Sequence, residues 1–321
     1  NNYNFSYVSG DLTICQATLY VTADPKTKVY GDADPALTYD VDGLVNGDEE
    51  SVLSGGLYRD SGEDVDSYWI YGDYLYAGGN YEIEYEGDYL DITPAALEVT
   101  ADSFSKVYGD VDPLLTWTIT DGSLKFSDSL SGDLTRDAGE DVGDYAITQG
   151  TMAASSNYTF TFMDGNLEIT TATLYVTADH QTKVYGDADP TLSYGVSGFQ
   201  FSDDETLLSG GLDRDAGENV GFYDILLGTL AANSNYDISY TGHDLEITPA
   251  TLTVTADSQT KVYGSADPEL TYEVDGFVGD DDESLLSGDL YRQSGEDVDS
   301  YYIYGDYLYD GSNYEIDYEG D

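Results

Sequence analysis

Ten basic side chains stand among 64 carboxylates in this 321-residue chain. Eight of the ten recur at matched positions: Lys28, Lys106, Lys183 and Lys261, and Arg59, Arg136, Arg214 and Arg292. Lys26 and Lys125 are the extras. A cation kept at one position amid such an excess of negative charge is expected to pair with particular carboxylates, and a guanidinium can do so in bidentate geometry. The acids just after each Arg, such as Glu63 and Asp64, are the nearest candidates. Structural ion pairing is therefore the preferred role for all eight, ahead of ligand recognition.

A second chemistry is divalent-cation binding. Gly-Asp-x-Asp-Pro turns put Asp32 and Asp34, Asp110 and Asp112, and Asp187 and Asp189 two residues apart. Two such carboxylates on a loop can share one hard cation, with backbone carbonyls completing the oxygen shell that Ca²⁺ takes. The competing reading is an Asx turn leading into proline, and the fourth copy, Ser265-Ala-Asp267, breaks the pair. The acidic loops Gly47–Glu50 and Gly279–Glu283 are weaker candidates, because capping of a helix start explains their acids. No cofactor is required; Ca²⁺ is the one candidate ion.

A third set is aromatic. Tyr68, Tyr71, Tyr74 and Tyr76 lie in one nine-residue string, and Tyr301, Tyr304, Tyr307 and Tyr309 lie in its twin. At strand spacing, half of these rings face outward. They form an interface with another chain, a sugar-stacking surface, or cross-strand pairs that stiffen one sheet. Catalysis finds no support. His180 and His243 occupy non-equivalent positions and make no HExxH or triad pattern, and acid pairs are too common for a glycosidase pair to stand out. No catalytic residue is assigned.

The elements that position these residues come from repetition. Lys-Val-Tyr-Gly begins at Lys28, Lys106, Lys183 and Lys261, in steps of 78, 77 and 78. Asn-Tyr recurs at Tyr3, Tyr81, Tyr158, Tyr236 and Tyr314, and Val-Thr-Ala-Asp ends at Asp24, Asp102, Asp179 and Asp257. Several anchors in one register divide the chain into 1–16, the last strands of a preceding repeat, then repeats 17–95, 96–172, 173–250 and 251–321. The last stops before the Leu-Glu-Ile-Thr strand of the earlier copies, so the array is expected to continue in both directions. Otherwise residues 2–11 complete the last unit of a neighbouring chain by strand addition.

Within a repeat, short alternating stretches separated by Gly, Asp and Asn clusters predict about six strands. Ser202-Asp-Asp-Glu205 reads as a capping box opening one short helix, with Asn46/Glu49 and Asp280/Glu283 repeating the logic, while the second repeat loses that turn. The fold class is mostly β: a tandem array of small β-grasp-like or sandwich units of about 78 residues. Proline-bearing seams such as Ile92-Thr-Pro-Ala replace flexible tethers, which predicts an elongated rod.

The net charge of −54 makes nucleic acid and anionic membrane poor partners and cations good ones, so high salt and bound divalent ions compete to explain it. With 32 Tyr and regular apolar alternation, the chain is not read as disordered. Cys15 is the only cysteine and stands where the other copies have Thr93, Thr170 and Thr248, so no internal disulfide forms. No apolar run is long enough to span a bilayer.

The recurring Lys-Val-Tyr-Gly-Asp-Ala-Asp-Pro, the Arg-Asp-x-Gly-Glu-[Asp/Asn]-Val block, the Asn-Tyr strand and the closing Leu-Glu-Ile-Thr-Pro-Ala resemble MBG-type repeats of the YGX class. That resemblance implies β-grasp-like modules strung along large bacterial surface proteins and filamentous-haemagglutinin-like adhesins. It implies secretion to the cell surface and a stalk role, with host-surface or carbohydrate contacts made by regions outside this segment. The alternative is a self-assembling extracellular filament, sheath or surface layer in which neighbouring copies of the repeat are the partners.

Overall fold

The computed structural model describes residues 2–305, 311 and 313–319. In the first repeat the chain runs β1 (Ala17–Ala23), β2 (Lys26–Val29), β3 (Tyr39–Asp42), a one-turn 3₁₀ helix (Glu50–Val52), β4 (Tyr58–Arg59), β5 (Ser67–Tyr71), β6 (Tyr81–Glu86) and β7 (Tyr89–Thr93). The second repeat follows with β8 (Ala95–Ala101), β9 (Phe104–Val107), β10 (Trp117–Gly122), β11 (Thr135–Arg136), β12 (Gly143–Thr148), β13 (Tyr158–Met163) and β14 (Gly165–Thr170). The third has β15 (Ala172–Ala178), β16 (Gln181–Val184), β17 (Tyr194–Ser197), β18 (Asp213–Arg214), β19 (Gly221–Leu226), β20 (Tyr236–Thr241) and β21 (His243–Thr248). The fourth has β22 (Ala250–Ala256), β23 (Tyr272–Asp275), β24 (Tyr291–Arg292), β25 (Ile303–Tyr304) and β26 (Tyr314–Glu319).

Each full repeat folds its seven strands into two sheets. In the first, β3-β1-β6 make one sheet, with β1 antiparallel to β3 and parallel to β6, and β2-β7-β5-β4 make the other. Alternation along β1 explains the arrangement. Leu19, Val21 and Ala23 point inward while Thr18, Tyr20 and Thr22 face out, the period-two pattern of a half-buried strand. Leu19 and Val21 pack with Tyr81, Val41 and Leu53 in one small core. Ala23 packs with Ile70 and Leu90 in a second, and Tyr85 touches both. So the fold is mostly β with repeated two-sheet units, as the repetition predicts.

Three local expectations are corrected. Lys26–Val29 is a strand that alternation did not reveal, because its inward position is a lysine, and the same holds for β9 and β16. The expected helix is a single 3₁₀ turn, and its cap is not the Ser202 capping box. Asp204 accepts the Thr206 N–H, and Asp282 accepts that of Ser284, one residue before each helix begins. In the first repeat Asn46 takes a left-handed backbone (φ 58°), and Glu49 precedes the turn without capping it. Residues 2–16, read as strands of a preceding repeat, form none here. Their apolar side chains Tyr3, Phe5, Tyr7, Leu12 and Ile14 are exposed and pack on no strand.

The chain falls into two compact units. One comprises Asn1–Lys106, Asp112–Gly139 and Asp144–Glu168, the other Val107–Val111, Glu140–Gly143 and Ile169–Asp321. In the first unit one core is shared by two repeats, since Tyr30 and Ile92 pack with Ala95, Leu97, Val99, Met152 and Tyr158. In the second unit Tyr185 packs in the same way against Ala250, Leu252 and Tyr314. Among the described residues no helix is long and apolar enough to cross a membrane.

Candidate functional site: a repeated charge node and its neighbouring seam

The lysine of Lys-Val-Tyr-Gly and the arginine 31 or 30 residues later meet at one carboxylate. β2 ends beside the turn that carries Asp34, and β4 brings Arg59 to the same turn. Lys28 Nζ lies 2.7 Å from Asp34 Oδ1, 2.5 Å from Glu63 Oε2 and 3.2 Å from the Asp32 carbonyl. Arg59 answers from the other side. Its Nε donates to Asp34 Oδ2 at 2.7 Å and its Nη2 to Asp34 Oδ1 at 3.0 Å and Glu63 Oε1 at 2.6 Å. Nη1 donates to the carbonyls of Asp60 and Gly62, at 2.7 and 2.6 Å. All five guanidinium donors are thereby used, and the plane lies over the Tyr68 ring at 5.1 Å.

The node recurs in the other repeats. Lys183 and Arg214 share Asp189 and Glu218 at 2.5–2.8 Å, over Tyr223. Lys106 and Arg136 share Asp112, over Tyr145. Lys261 and Arg292 share Asp267 and Glu296, over Tyr301. The fourth copy, which has Ser265 in place of the first Asp, still makes the Lys and Arg ion pairs to Asp267 and Glu296. The second carboxylate of the turn therefore does the pairing, while Asp32 and Asp187 each supply a backbone carbonyl.

Electrostatics follow from this crowding of opposite charges. Arg59 and then Lys28 hold the Asp34 carboxyl at about 2, against an ordinary 3.8. Asp189 and Asp267 are held at about 2 in the same way, and Asp112, Glu63 and Glu218 are lowered too. Burial opposes the charge on Lys28, but Asp34 and Glu63 outweigh it and raise the ammonium. The lysine side chains are only 3–4% exposed in the first three repeats and 21% in the fourth. In that repeat the Leu-x-Ile-Thr strand, which pairs with the lysine strand elsewhere, is not among residues 250–321, and 258–261 form no strand.

Gly62 is required by this geometry. It sits at φ +150°, and a Cβ there would stand 2.3 Å from the Tyr68 ring on which Arg59 lies. Gly62→Ala is expected to lower the stability of the first repeat by about 1–2 kcal/mol through strain and displacement of that ring. Urea unfolding followed by Trp69 fluorescence in a Trp117→Phe background checks this. Gly56→Ala, where a Cβ meets nothing within 4 Å, is the neutral comparison.

Several residues singled out from the sequence are placed otherwise than their spacing suggested. Asp64 does not pair with Arg59; it accepts from the Asn157 side chain at 2.8 Å. Tyr68 and Tyr301 lie beneath guanidinium groups, with their hydroxyls on the carbonyls of Asp64 and Asp297. Tyr71 stacks on Tyr58 with ring centroids 5.1 Å apart, and Tyr74 leans on Tyr58 at 5.2 Å. Of this set Tyr74 and Tyr76 are the most open, at 73% and 63% exposure, and Tyr304 is at 36%. Tyr307 and Tyr309 lie outside the described residues. Among the described residues no group of three or more His, Cys, Asp or Glu side chains is arranged to hold a metal ion. Cys15 is exposed. The two histidines do come together, with rings 5.1 Å apart, because His180 precedes β16 and β16 pairs parallel with β21, which begins at His243.

The residues that sequence reasoning missed form the joint beside each node. Tyr30 follows Lys28 by two, and its hydroxyl donates to Asp128 at 2.9 Å. Tyr158 donates to the same carboxylate oxygen at 2.7 Å and accepts the Lys125 N–H. The Asn157 side chain accepts the Val65 N–H at 2.9 Å while donating to Asp64. In the second unit Tyr108 and Tyr236 meet on Asp203, and Tyr185 and Tyr314 meet on Asp281. There Asn235 bridges Val142 and Asp141, and Asn313 bridges Val220 and Asn219. Burial and then the Asp128 carboxylate push the Tyr30 hydroxyl up to about 12, so it remains a donor across the ordinary pH range. The tyrosine of Lys-Val-Tyr-Gly and the Asn-Tyr pair recur in every full copy, yet in the sequence they serve only as register marks. The partners of Tyr30 and Asn157 lie more than 90 residues away, and that of Tyr158 lies 30 away.

Comparison with known proteins agrees with this repetition. A search of curated proteins finds no match to the chain. The model of the MBG domain (YGX type) matches at residues 19–91, 97–168, 174–246 and 252–321. Repeats of this family are structural and are consistent with an adhesin-like repeat region of a surface protein. Four tandem matches, each holding one node, cover nearly all of the sequence, and the chain belongs to the MBG domain family of the YGX type.

Proposed function

We propose that this chain is a non-catalytic, extracellular stretch of the stalk of a bacterial surface adhesin, setting a binding region away from the cell. The observation that carries the reading is the joint. Adjacent repeats within a unit are bolted by a shared carboxylate and a bridging asparagine, so the connection resists bending where a flexible tether would not. The charge nodes serve each repeat internally, and none of their cations is left over for a ligand. Binding to host surface or carbohydrate belongs to regions outside this segment. Antibodies raised against the 321-residue chain are expected to label intact source cells. Labelling that requires permeabilised cells overturns the surface assignment.

A second reading, a self-assembling filament, sheath or surface layer, is favoured by the open tyrosine cluster of Tyr58, Tyr74 and Tyr76. The two differ in response to ions. With a net charge of −54, screening is expected to raise the melting temperature by several degrees between 0.05 and 1 M NaCl, in the stalk reading without polymerisation. A comparison of EDTA with Ca²⁺ at matched ionic strength tests the Asp32/Asp34-type turns. Light scattering that climbs on Ca²⁺ addition, with filaments in the microscope, would replace the stalk by the filament.

A further inference from the structure

We infer that β13 of the second repeat is a pairing edge through which two copies of this chain associate, each β13 lying antiparallel to the other. β13 is the outer strand of the sheet β10-β8-β13, hydrogen-bonded to β8 on one side only. Its counterparts are outer strands too, and each carries acid on its outward face: Glu82, Glu84 and Glu86 on β6, Asp237 beside Ser239 and Thr241 on β20, and Glu315, Asp317 and Glu319 on β26. Charges at such positions keep an open edge from templating a second strand. On β13 the outward positions are Thr159, Thr161 and Met163, with no charge among them, and Met163 is 50% exposed.

Charge also names the occupant. In a chain of net charge −54, most surfaces of one copy repel another. This edge offers its own kind no like charge. β2, β9, β16 and β17 are also outer strands without outward charge, but each has four residues and only two outward positions (Thr27 and Val29, Ser105 and Val107, Thr182 and Val184, Gly195 and Ser197), against six residues and three outward positions on β13. Antiparallel pairing centred on Thr161 sets Thr161 opposite Thr161 of the second copy. It sets Thr159 opposite Met163, and on the other face Phe160 opposite Phe162. Thr–Thr and aromatic cross-strand pairs are the stabilising units of such a ladder. The contact is isologous, so it closes at two chains and builds no filament. It therefore goes beyond the stalk reading and is compatible with it. Six residues a side bury less than a standard interface, which predicts a weak dimer that forms at roughly 100 µM.

Sedimentation velocity of the full chain in 0.5 M NaCl, where repulsion is screened, is expected to show a concentration-dependent dimer. Thr161→Glu, which restores the acid that β6 carries, is expected to weaken association at least tenfold with unchanged circular dichroism. In a Cys15→Ser background, Thr161→Cys is expected to crosslink two chains under mild oxidation, and Thr18→Cys, outward on the central strand β1, is not. A monomer at all concentrations overturns the inference, as does a dimer indifferent to Thr161→Glu. Deleting residues 1–16 separates the other candidate, since residues 3–8 are an exposed, uncharged segment that starts at the same Asn-Tyr tyrosine as β13. Association that survives the deletion supports β13 with β13, and association lost with it overturns that pairing.

Discussion

Asp34→Asn is expected to lower the stability of the first repeat by about 2 kcal/mol, whereas Lys28→Met is expected to cost less than about 1 kcal/mol. The asymmetry comes from burial. Breaking a buried ion pair by removing one partner costs about 3–5 kcal/mol when the other charge is stranded. Lys28 and Arg59 are 3% and 10% exposed, so loss of Asp34 strands two cations against a single remaining carboxylate, Glu63. The figure falls below the full range because Asp34 is itself 42% exposed and water reaches the site. Removing Lys28 instead leaves both carboxylates bonded to Arg59 and open to solvent, and the methionine keeps the apolar stem that packs in the sheet. Urea melts following Trp69 in the Trp117→Phe background give both numbers. Equal costs would mean that the node is an exposed pair of little consequence.

The same carboxylates set the acid limb of the stability curve. Asp34, Asp189 and Asp267 are held at about 2 in the folded chain and return to ordinary values on unfolding. Because their folded values are depressed, their contribution is present above pH of about 4 and is lost as pH falls from there towards 2. Self-repulsion at net −54 acts in the opposite sense, since it weakens as acidification lowers the net negative charge. Stability is therefore expected to rise on mild acidification, peak near pH of about 4.5 and then fall steeply. Asp34→Asn is expected to flatten the fall in the first repeat without moving the rise.

How much of this was legible in the sequence depends on whether a partner is near or far along the chain. Glu63 follows Arg59 by four residues and was readable as its partner. Asp34, 25 residues before Arg59, was readable only as half of a metal-like pair, because nothing local shows that β4 delivers the guanidinium to that turn. Period-two alternation was legible in the first strand of each repeat, where Leu19 and Val21 of β1 point inward. It failed at β2, where the inward residue is Lys28, a charge that burial rules count as outward. It also left open which half of the tyrosine rings face outward, and Tyr68 lies beneath Arg59. The joint was least legible. Tyr30 and Asp128 are 98 residues apart and Val65 and Asn157 are 92 apart, distances at which no spacing rule operates.

That joint yields the largest expected effect. Asp128→Ala is expected to cost about 3 kcal/mol and to separate the unfolding of the first repeat from that of the second. The carboxylate accepts from both Tyr30 and Tyr158, which are 3% and 7% exposed. Without it, two buried hydroxyls lose their acceptor, and each unsatisfied buried group costs about 1–3 kcal/mol. Tyr30→Phe removes one donor and leaves Asp128 a second one, so its cost is expected nearer 1 kcal/mol. In tandem arrays stability divides into a term for each repeat and a term for each neighbouring interface. Asp128 belongs to the second kind, since the rings it joins come from different repeats and stand 5.5 Å apart. Trp69 in the first repeat and Trp117 in the second, each read alone by replacing the other with Phe, are expected to report one coincident transition in the native chain. In Asp128→Ala the two midpoints should part. Asp73→Ala is the control, because its partner Tyr58 is exposed and lies in the same repeat. Coincident midpoints in Asp128→Ala would mean that the shared apolar core of Ile92, Leu97 and Val99 couples the repeats by itself, and the carboxylate bolt would then be incidental to the stiffness a stalk requires.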